Sequence, residues 1–130
     1  MMNEPLSAIM TQNVITLSEN DLLSDAKKIL LEHDIRHIPI VDNDRTLVGI
    51  LSVYDLMKID DHHKTKISTV MTKGIAKLLP DDKIGSAAQI FGEHLFHSLP
   101  IVDQYNKVIG IVTPYDVLNY IYKKTYPTSF

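Results

Sequence analysis

The sequence predicts a mixed α+β fold (α+β, mixed α/β) made of two β-α-β-β-α units. Three observations predict it. The chain repeats itself at a fixed offset. Apolar residues keep helical spacing in some stretches and form short β-branched runs in others. Turn-forming residues separate these runs at matching places in both copies.

The repeat is plainest in Gly49-Ile50-Leu51-Ser52-Val53-Tyr54-Asp55, which recurs as Gly110-Ile111-Val112-Thr113-Pro114-Tyr115-Asp116, an offset of 110 − 49 = 61. Residues 7–59 align with 68–120 without a gap, giving 17 identities in 53 pairs. Ser7 to Thr11 aligns with Ser68 to Thr72, and Pro39-Ile40-Val41-Asp42 with Pro100-Ile101-Val102-Asp103. One unit of this size leaves its apolar face uncovered, and two can cover each other. The domains read as a first repeat over 5–60, a linker over 61–65, a second repeat over 66–124 and a tail over 125–130, together one compact module.

In order along the chain, Pro5 to Met10 reads as a short helical lead-in, with Leu6 and Ile9 three apart. Val14 to Leu17 is β-branched and reads as a strand. Asp21 reads as an N-cap, followed by Leu22, Leu23, Ala26, Ile29 and Leu30 at helical spacing, fading by His33-Asp34. Arg36 to Val41 is the next strand. Pro39 has no N–H to donate, which places this strand at an edge or interrupts it there. Asp42 to Arg45 is turn chemistry, and Thr46 to Leu51 returns as a hairpin partner. Ser52 opens a helix through Ile59. Asp60 to Thr65 is polar and aperiodic, a flexible linker.

The second copy repeats the order: lead-in at 66–71, strand near 75–78, helix 83–95, strands 98–102 and 107–112, and a helix from Pro114 to about Lys123. Tyr126 to Phe130 reads as a frayed tail.

Composition bounds the function. The chain has 130 residues, 45% of them apolar, enough for a core, and no cysteine, hence no disulfide and no thiol chemistry. Net charge is −3 and the pI is near 6.0, giving no basic footprint for nucleic acid. No apolar run approaches the roughly 20 residues of a membrane helix. Met1 to Pro5 lacks the order of a signal peptide, so the expected location is cytoplasmic.

The duplicated hydroxyl-x-x-Asp has two readings. Ser52 or Thr113 as N-cap with Asp55 or Asp116 at N3 is close to a capping box. Pro114 then falls at N1, where proline is favoured. The same geometry also suits a nucleotide. Free helix-start amides and a hydroxyl favour phosphate, and a carboxylate one turn on can accept from a ribose diol, as in dinucleotide folds. Gly49 and Gly110 would let a ligand approach the backbone. Capping accounts for the spacing without a ligand, and the duplication narrows that lead without closing it.

These residues resemble a pair of cystathionine β-synthase (CBS) domains, a Bateman module. The matching pieces are Ile9-Met10-Thr11 with Val70-Met71-Thr72, Ile38 to Asp42 with Leu99 to Asp103, and Val48 to Asp55 with Ile109 to Asp116. Together they span about residues 5–124. The resemblance implies a regulatory module, not an enzyme, with two units about a pseudo-two-fold axis and two clefts. It implies an adenosine ligand: AMP, ADP, ATP or S-adenosylmethionine. Asp55 and Asp116 would hold ribose hydroxyls, and Ser52 and Thr113 phosphate. Adenine would lie against Arg36, His37, Ile38 and Pro39, or His97, Ser98, Leu99 and Pro100. Thr16 and Leu78 would line the same clefts. A homodimer and a regulated partner protein are also implied.

The copies differ. Thr16 aligns with Lys77, His37 with Ser98, and Arg36 with His97, which points to unequal affinities. Where the family often has glycine in the hairpin turn, this chain has Arg45 and Asn106. Asn tolerates a positive φ and Arg does so poorly. His62 and His63 beside Asp60 and Asp61 read as a solvated linker rather than a metal site, and His33 and His94 as favourable charges at helix ends. Tyr54 and Tyr115 are candidates to stack on a ligand or to pack at a helix start. Tyr115, Tyr120, Tyr122 and Tyr126 give the last helix an aromatic surface, either a dimer face or ordinary partial burial. The alternative function is a ligand-free structural or dimerisation module whose hydroxyl and Asp residues serve only as caps.

Overall fold

A helix begins with amides that lack an intrahelical acceptor. Here the helices that start at Leu23 and Ile84 have no side-chain oxygen at their N-caps, Leu22 and Lys83. A computed structural model describes residues 2–127. Its elements are β1 (Leu17–Ser18), α1 (Leu23–His33), β2 (His37–Val41), β3 (Leu47–Ser52), α2 (Val53–Met57), α3 (Ile84–His94), β4 (Leu99–Val102), β5 (Val108–Val112) and α4 (Pro114–Thr125). Single 3-10 turns at Leu6–Ala8 and Ile67–Thr69 form the two lead-ins. Main-chain carbonyls supply the missing acceptors. Leu23 N and Ser24 N of α1 donate to Thr65 O and His62 O, both at 2.9 Å. Ile84 N and Gly85 N of α3 donate to Glu4 O and Met2 O, also at 2.9 Å.

The segment expected to be a flexible linker is therefore held by α1. Thr65 Oγ1 further donates to Asp61 O at 2.6 Å, and His62 Nε2 lies 2.8 Å from Leu56 O. The expected N-cap at Asp21 is also corrected. Its carboxylate accepts from Ser18 N at 2.9 Å, which closes the turn ahead of the helix. At the helix start Asp25 accepts from Leu22 N at 3.1 Å.

The chain divides into two units, each gathering the lead-in of one repeat with the body of the other. Among the described residues the first holds 2–14, 76–104 and 109–127, and the second holds 15–75 and 105–108. In the second unit the sheet order is β1-β2-β3. β1 runs parallel to β2 through Leu17↔Ile40 and Ser18↔Val41, and β2 pairs antiparallel with β3 from His37↔Ser52 to Val41↔Leu47. β2 is thus the middle strand and runs unbroken through Pro39, against the edge placement or interruption expected there; its register shifts one residue later, between Ile40 and Val41. It tolerates the proline because β1 is only two residues long and its pairing starts at Ile40, so no acceptor waits opposite the missing N–H. The strand expected over Val14–Leu17 shrinks to Leu17–Ser18, since Asn13 takes a positive φ of 53° and turns the chain just before it.

In the first unit β4 pairs with β5. The strand expected near 75–78 is reduced to one parallel bridge, Leu78↔Ile101, with Leu78 N donating to Pro100 O at 3.1 Å and Leu78 O accepting from Val102 N at 2.9 Å. The helix expected through Ile59 ends at Met57, because Lys58 N and Ile59 N fall back on Asp55 O and Leu56 O in a tighter turn. The tail expected to fray from Tyr126 is instead tied there, with Tyr126 N donating to Tyr122 O at 2.8 Å, and 128–130 lie outside the described residues.

Each unit has its own core. Leu23, Ala26, Leu30, Ile38, Ile40, Leu51, Leu56, Ile67 and Met71 pack in one, and Leu6, Ile84, Ala87, Leu99, Ile101, Val112, Val117 and Tyr120 in the other. Leu6 and Ile67 anchor the lead-ins and are fully buried, each contributing about 1.5–3 kcal/mol by area removed from water. Both hairpin turns adopt the same left-handed residue, Arg45 at φ 66° and Asn106 at φ 64°. Asp42 holds Arg45 there by accepting from Asp44 N at 2.9 Å and Thr46 N at 3.0 Å through one oxygen.

The lead-in of the first unit is also tied by charge. Lys124 Nζ lies 2.8 Å from Glu4 Oε1 and 5.6 Å from the centre of the Tyr120 ring. Hydrogen bonds from Lys124 and then Tyr120 hold the Glu4 carboxyl below its ordinary range. Glu4 in turn holds the Lys124 ammonium above its own.

Two predictions follow from these contacts. A Cβ on Gly49 would sit 2.7 Å from Met71 Sδ and 3.0 Å from Thr72 O, and on Gly110 it would sit 2.6 Å from Met10 Sδ and 3.3 Å from Thr11 O. Gly49→Ala and Gly110→Ala should each lose about 1–3 kcal/mol in urea unfolding. Gly49→Ala should lose more, because a backbone oxygen cannot move aside as a thioether can. For Glu4, a depressed carboxyl pKa stabilises the fold above the ordinary glutamate range, and that stabilisation is lost as pH falls through the native value. Glu4→Gln should therefore unfold more readily than wild type at neutral pH, with the gap closing in acid. Melting curves from pH 7 to pH 3 check this.

Candidate functional site

β3 ends at Ser52 and α2 starts at Val53, so the hydroxyl falls at the strand-to-helix junction, as does Thr113 between β5 and α4. Both Asp residues then sit at N3. Asp55 Oδ2 accepts from Ser52 N at 2.8 Å and from Ser52 Oγ at 3.2 Å. Asp116 Oδ2 accepts from Thr113 N at 2.8 Å and from Thr113 Oγ1 at 3.1 Å, and Thr113 Oγ1 accepts from Asp116 N at 3.3 Å. The box is complete in the second copy. In the first, the described bonds run from Ser52 to Asp55 alone. In both, these contacts fall on Oδ2, and among the described residues Oδ1 takes none.

The helix starts offer fewer amides than their position suggests. Val53 N is bonded to Arg36 O at 3.0 Å. At α4, Pro114 has no N–H, and Asp116 N is spent on Thr113. The Thr113 hydroxyl proton is already directed at Asp116, so donation to a phosphate requires it to turn.

In the second unit the register places Ser52 opposite His37 and carries Arg36 to the start of α2. Thr16 lies one residue before β1, at the level of Pro39 by the parallel register. In the first unit Leu78 lies against Pro100 and Ile101, and His97 and Ser98 precede β4. The side chains of Ile38, Pro39, Leu99 and Pro100 are fully buried, so these residues can offer a ligand only main-chain groups. Ser98 is buried as well, while Arg36, His97, Tyr54 and Tyr115 are exposed. Gly49 and Gly110 do not open the backbone to a ligand as expected, since methionine side chains occupy the space beside them.

The residues missed in the sequence lie further along α4. A groove of about 540 Å³ in the first unit is lined by Ala8, Ile9, Asp116, Asn119, Tyr120, Lys123, Lys124 and Pro127. The signal for it is the spacing from Asp116 to Asn119, Tyr120, Lys123 and Lys124, one face of a helix. Among the described residues no cluster of three or more metal-ligating side chains occurs, and no helix is long and apolar enough to cross a membrane.

The fold has many known counterparts. The CBS domain pair of protein MJ0100, solved in complex with 5′-methylthioadenosine and S-adenosyl-L-methionine, is 32% identical, with a TM-score of 0.85 over 92% of this chain and 97% of that one. The CBSX2 protein in complex with AMP is 25% identical, with a TM-score of 0.87 over 94% and 98%. A homoserine O-acetyltransferase of Methanococcoides burtonii is 32% identical over 84% of this chain and 22% of its own length. This chain spans between 21% and 47% of the length of such curated relatives. The CBS domain family model matches residues 6–62 and again 67–123, and with both copies matched the chain belongs to the CBS domain family.

Proposed function

We propose that the chain is a regulatory module that binds an adenosine compound and transmits its occupancy to a partner protein in the cytoplasm. The observation that carries this reading is the duplicated Asp at N3, whose capping bonds use one carboxylate oxygen and leave the other for a ribose hydroxyl. The adenosine ligands of the related MJ0100 and CBSX2 structures support it. Asp55 and Asp116 are the proposed ribose contacts and Ser52 and Thr113 the proposed phosphate contacts. Adenine would rest on the main chain of residues 36–39 or 97–100, flanked by Thr16 or Leu78, with Tyr54 and Tyr115 available to stack. The ligand would be AMP, ADP, ATP or S-adenosylmethionine. No residue is assigned a catalytic role.

Regulation requires two states with different affinity, since a ligand shifts an equilibrium only by that difference. A homodimer is the proposed carrier of the second state. Exposed Leu31 and Met57 on the helices of the second unit, and Leu118 and Tyr122 on those of the first, are apolar residues that it would cover. A second reading, an assembly module that uses hydroxyl and Asp only as caps, is favoured by the complete box at Thr113 and Asp116.

The two readings separate in one experiment. Thermal-shift titration with AMP, ADP, ATP and S-adenosylmethionine should give a saturable rise, about 2.7 kcal/mol at 100 times Kd. Asp55→Ala with Asp116→Ala should abolish that rise. Each substitution should also lower intrinsic stability by about 1 kcal/mol for the lost cap. A stability loss with no ligand response in wild type would leave the assembly module.

A further inference from the structure

We propose that the groove along α4 holds the anionic tail of a ligand whose ribose is on Asp116, with Lys123 as the residue that recognises the tail. The proposal rests on the adenosine reading above and names the part of the ligand that this chain selects. Asp116 and Lys123 both line the groove, seven residues apart along one helix. At 1.5 Å per residue they are about 10 Å apart along the axis. A nucleoside, or one bearing a single phosphate, stops short of that distance. A triphosphate chain or the carboxylate end of a methionine tail spans it.

Charge in the groove points the same way. Lys124 is neutralised by Glu4 at 2.8 Å, which leaves Lys123 as the lining cation with no ion-pair partner among the described residues. Asn119 lies between the two along α4 and offers amide donors and an acceptor to the middle of a tail. The start of α4 is a poor substitute, because Pro114 lacks an N–H and Asp116 N is already bonded. A charge beyond the first phosphate is therefore better served along the helix than at its tip.

The second unit lacks this extension. α2 ends at Met57, and His62, which aligns with Lys123 across the repeat, turns its ring to Leu56 O at 2.8 Å. Selection by tail length thus belongs to the Asp116 copy alone.

Calorimetry on the full chain tests this with two pairs of probes, ATP against AMP and the thioether S-adenosylhomocysteine against 5′-methylthioadenosine. Within each pair the nucleoside is constant and only the tail changes, so the pair that responds identifies the tail as phosphate or amino acid. In wild type the longer member of one pair should bind at least about fivefold tighter at low salt, an advantage that shrinks as salt screens it. Lys123→Ala should bring that ratio close to one and leave the shorter member's affinity unchanged, while Lys123→Arg should retain it. Ratios unaffected by Lys123→Ala, ratios near one in wild type, or equal loss for both members of a pair would each overturn the proposal while adenosine binding stands. Binding of none of the four would overturn both.

Discussion

Met71 Sδ sits where a Cβ on Gly49 would come within 2.7 Å, and Met10 stands in the same relation to Gly110 at 2.6 Å. This seat fixes the residue after each methionine against a strand. Thr72 N donates to Ile50 O at 2.9 Å and Ile50 N to Thr72 O at 3.0 Å. Thr11 exchanges the same pair of bonds with Ile111 at 2.9 and 3.1 Å. A lead-in docked in this way brings its upstream carbonyls to the first amides of the long helix, which has no side-chain cap of its own. It also drops Leu6 or Ile67 into the core. The glycine, the helix cap and the buried anchor form one linked device in each unit.

The site inherits its geometry from that device. Gly49 and Ser52 are on the same strand, so the register that seats Met71 also sets where the hydroxyl leaves the sheet and where His37 faces it. The close approach at the glycine serves packing, and the chemistry begins three residues later. The position of the hydroxyl and Asp is therefore a consequence of the scaffold, whatever the clefts bind. Losing the glycine would disturb the site without touching any ligand contact, which makes it a poor probe of binding. The two Asp residues are better probes, because one oxygen belongs to the cap and the other does not.

Much of this was legible in the sequence. The offset of 61 residues identified both copies and the strand-to-helix position of Ser52, Asp55, Thr113 and Asp116, and the paired motifs carried the resemblance to the family. Three things were not. The lead-ins read as the start of their own repeats because sequence order says nothing about which body they pack on. Val14 to Thr16 carry β-branched side chains yet form no strand, since the turn at Asn13 leaves them no partner, and propensity alone cannot supply one. Pro39 read as an edge residue because the rule concerns the missing donor, and only the shortness of β1 shows that no acceptor is left waiting for it. The groove is not legible for a different reason: Ala8, Ile9 and Pro127, which line it beside Lys123, lie on segments that helical spacing along α4 does not reach.

Matching motifs need not make equal sites. Asp55 and Asp116 accept from their N-caps within 0.1 Å of one another, so the local chemistry of the two caps is nearly the same. What differs is the helix behind each. α2 ends after five residues, and the chain beyond it turns back to place Thr65 O and His62 O at the start of α1. α4 runs for twelve. The shorter helix ends before it can carry further side chains past its Asp, and the longer one carries Asn119, Tyr120 and Lys123 there. Two copies with nearly equal caps therefore present different groups beyond them.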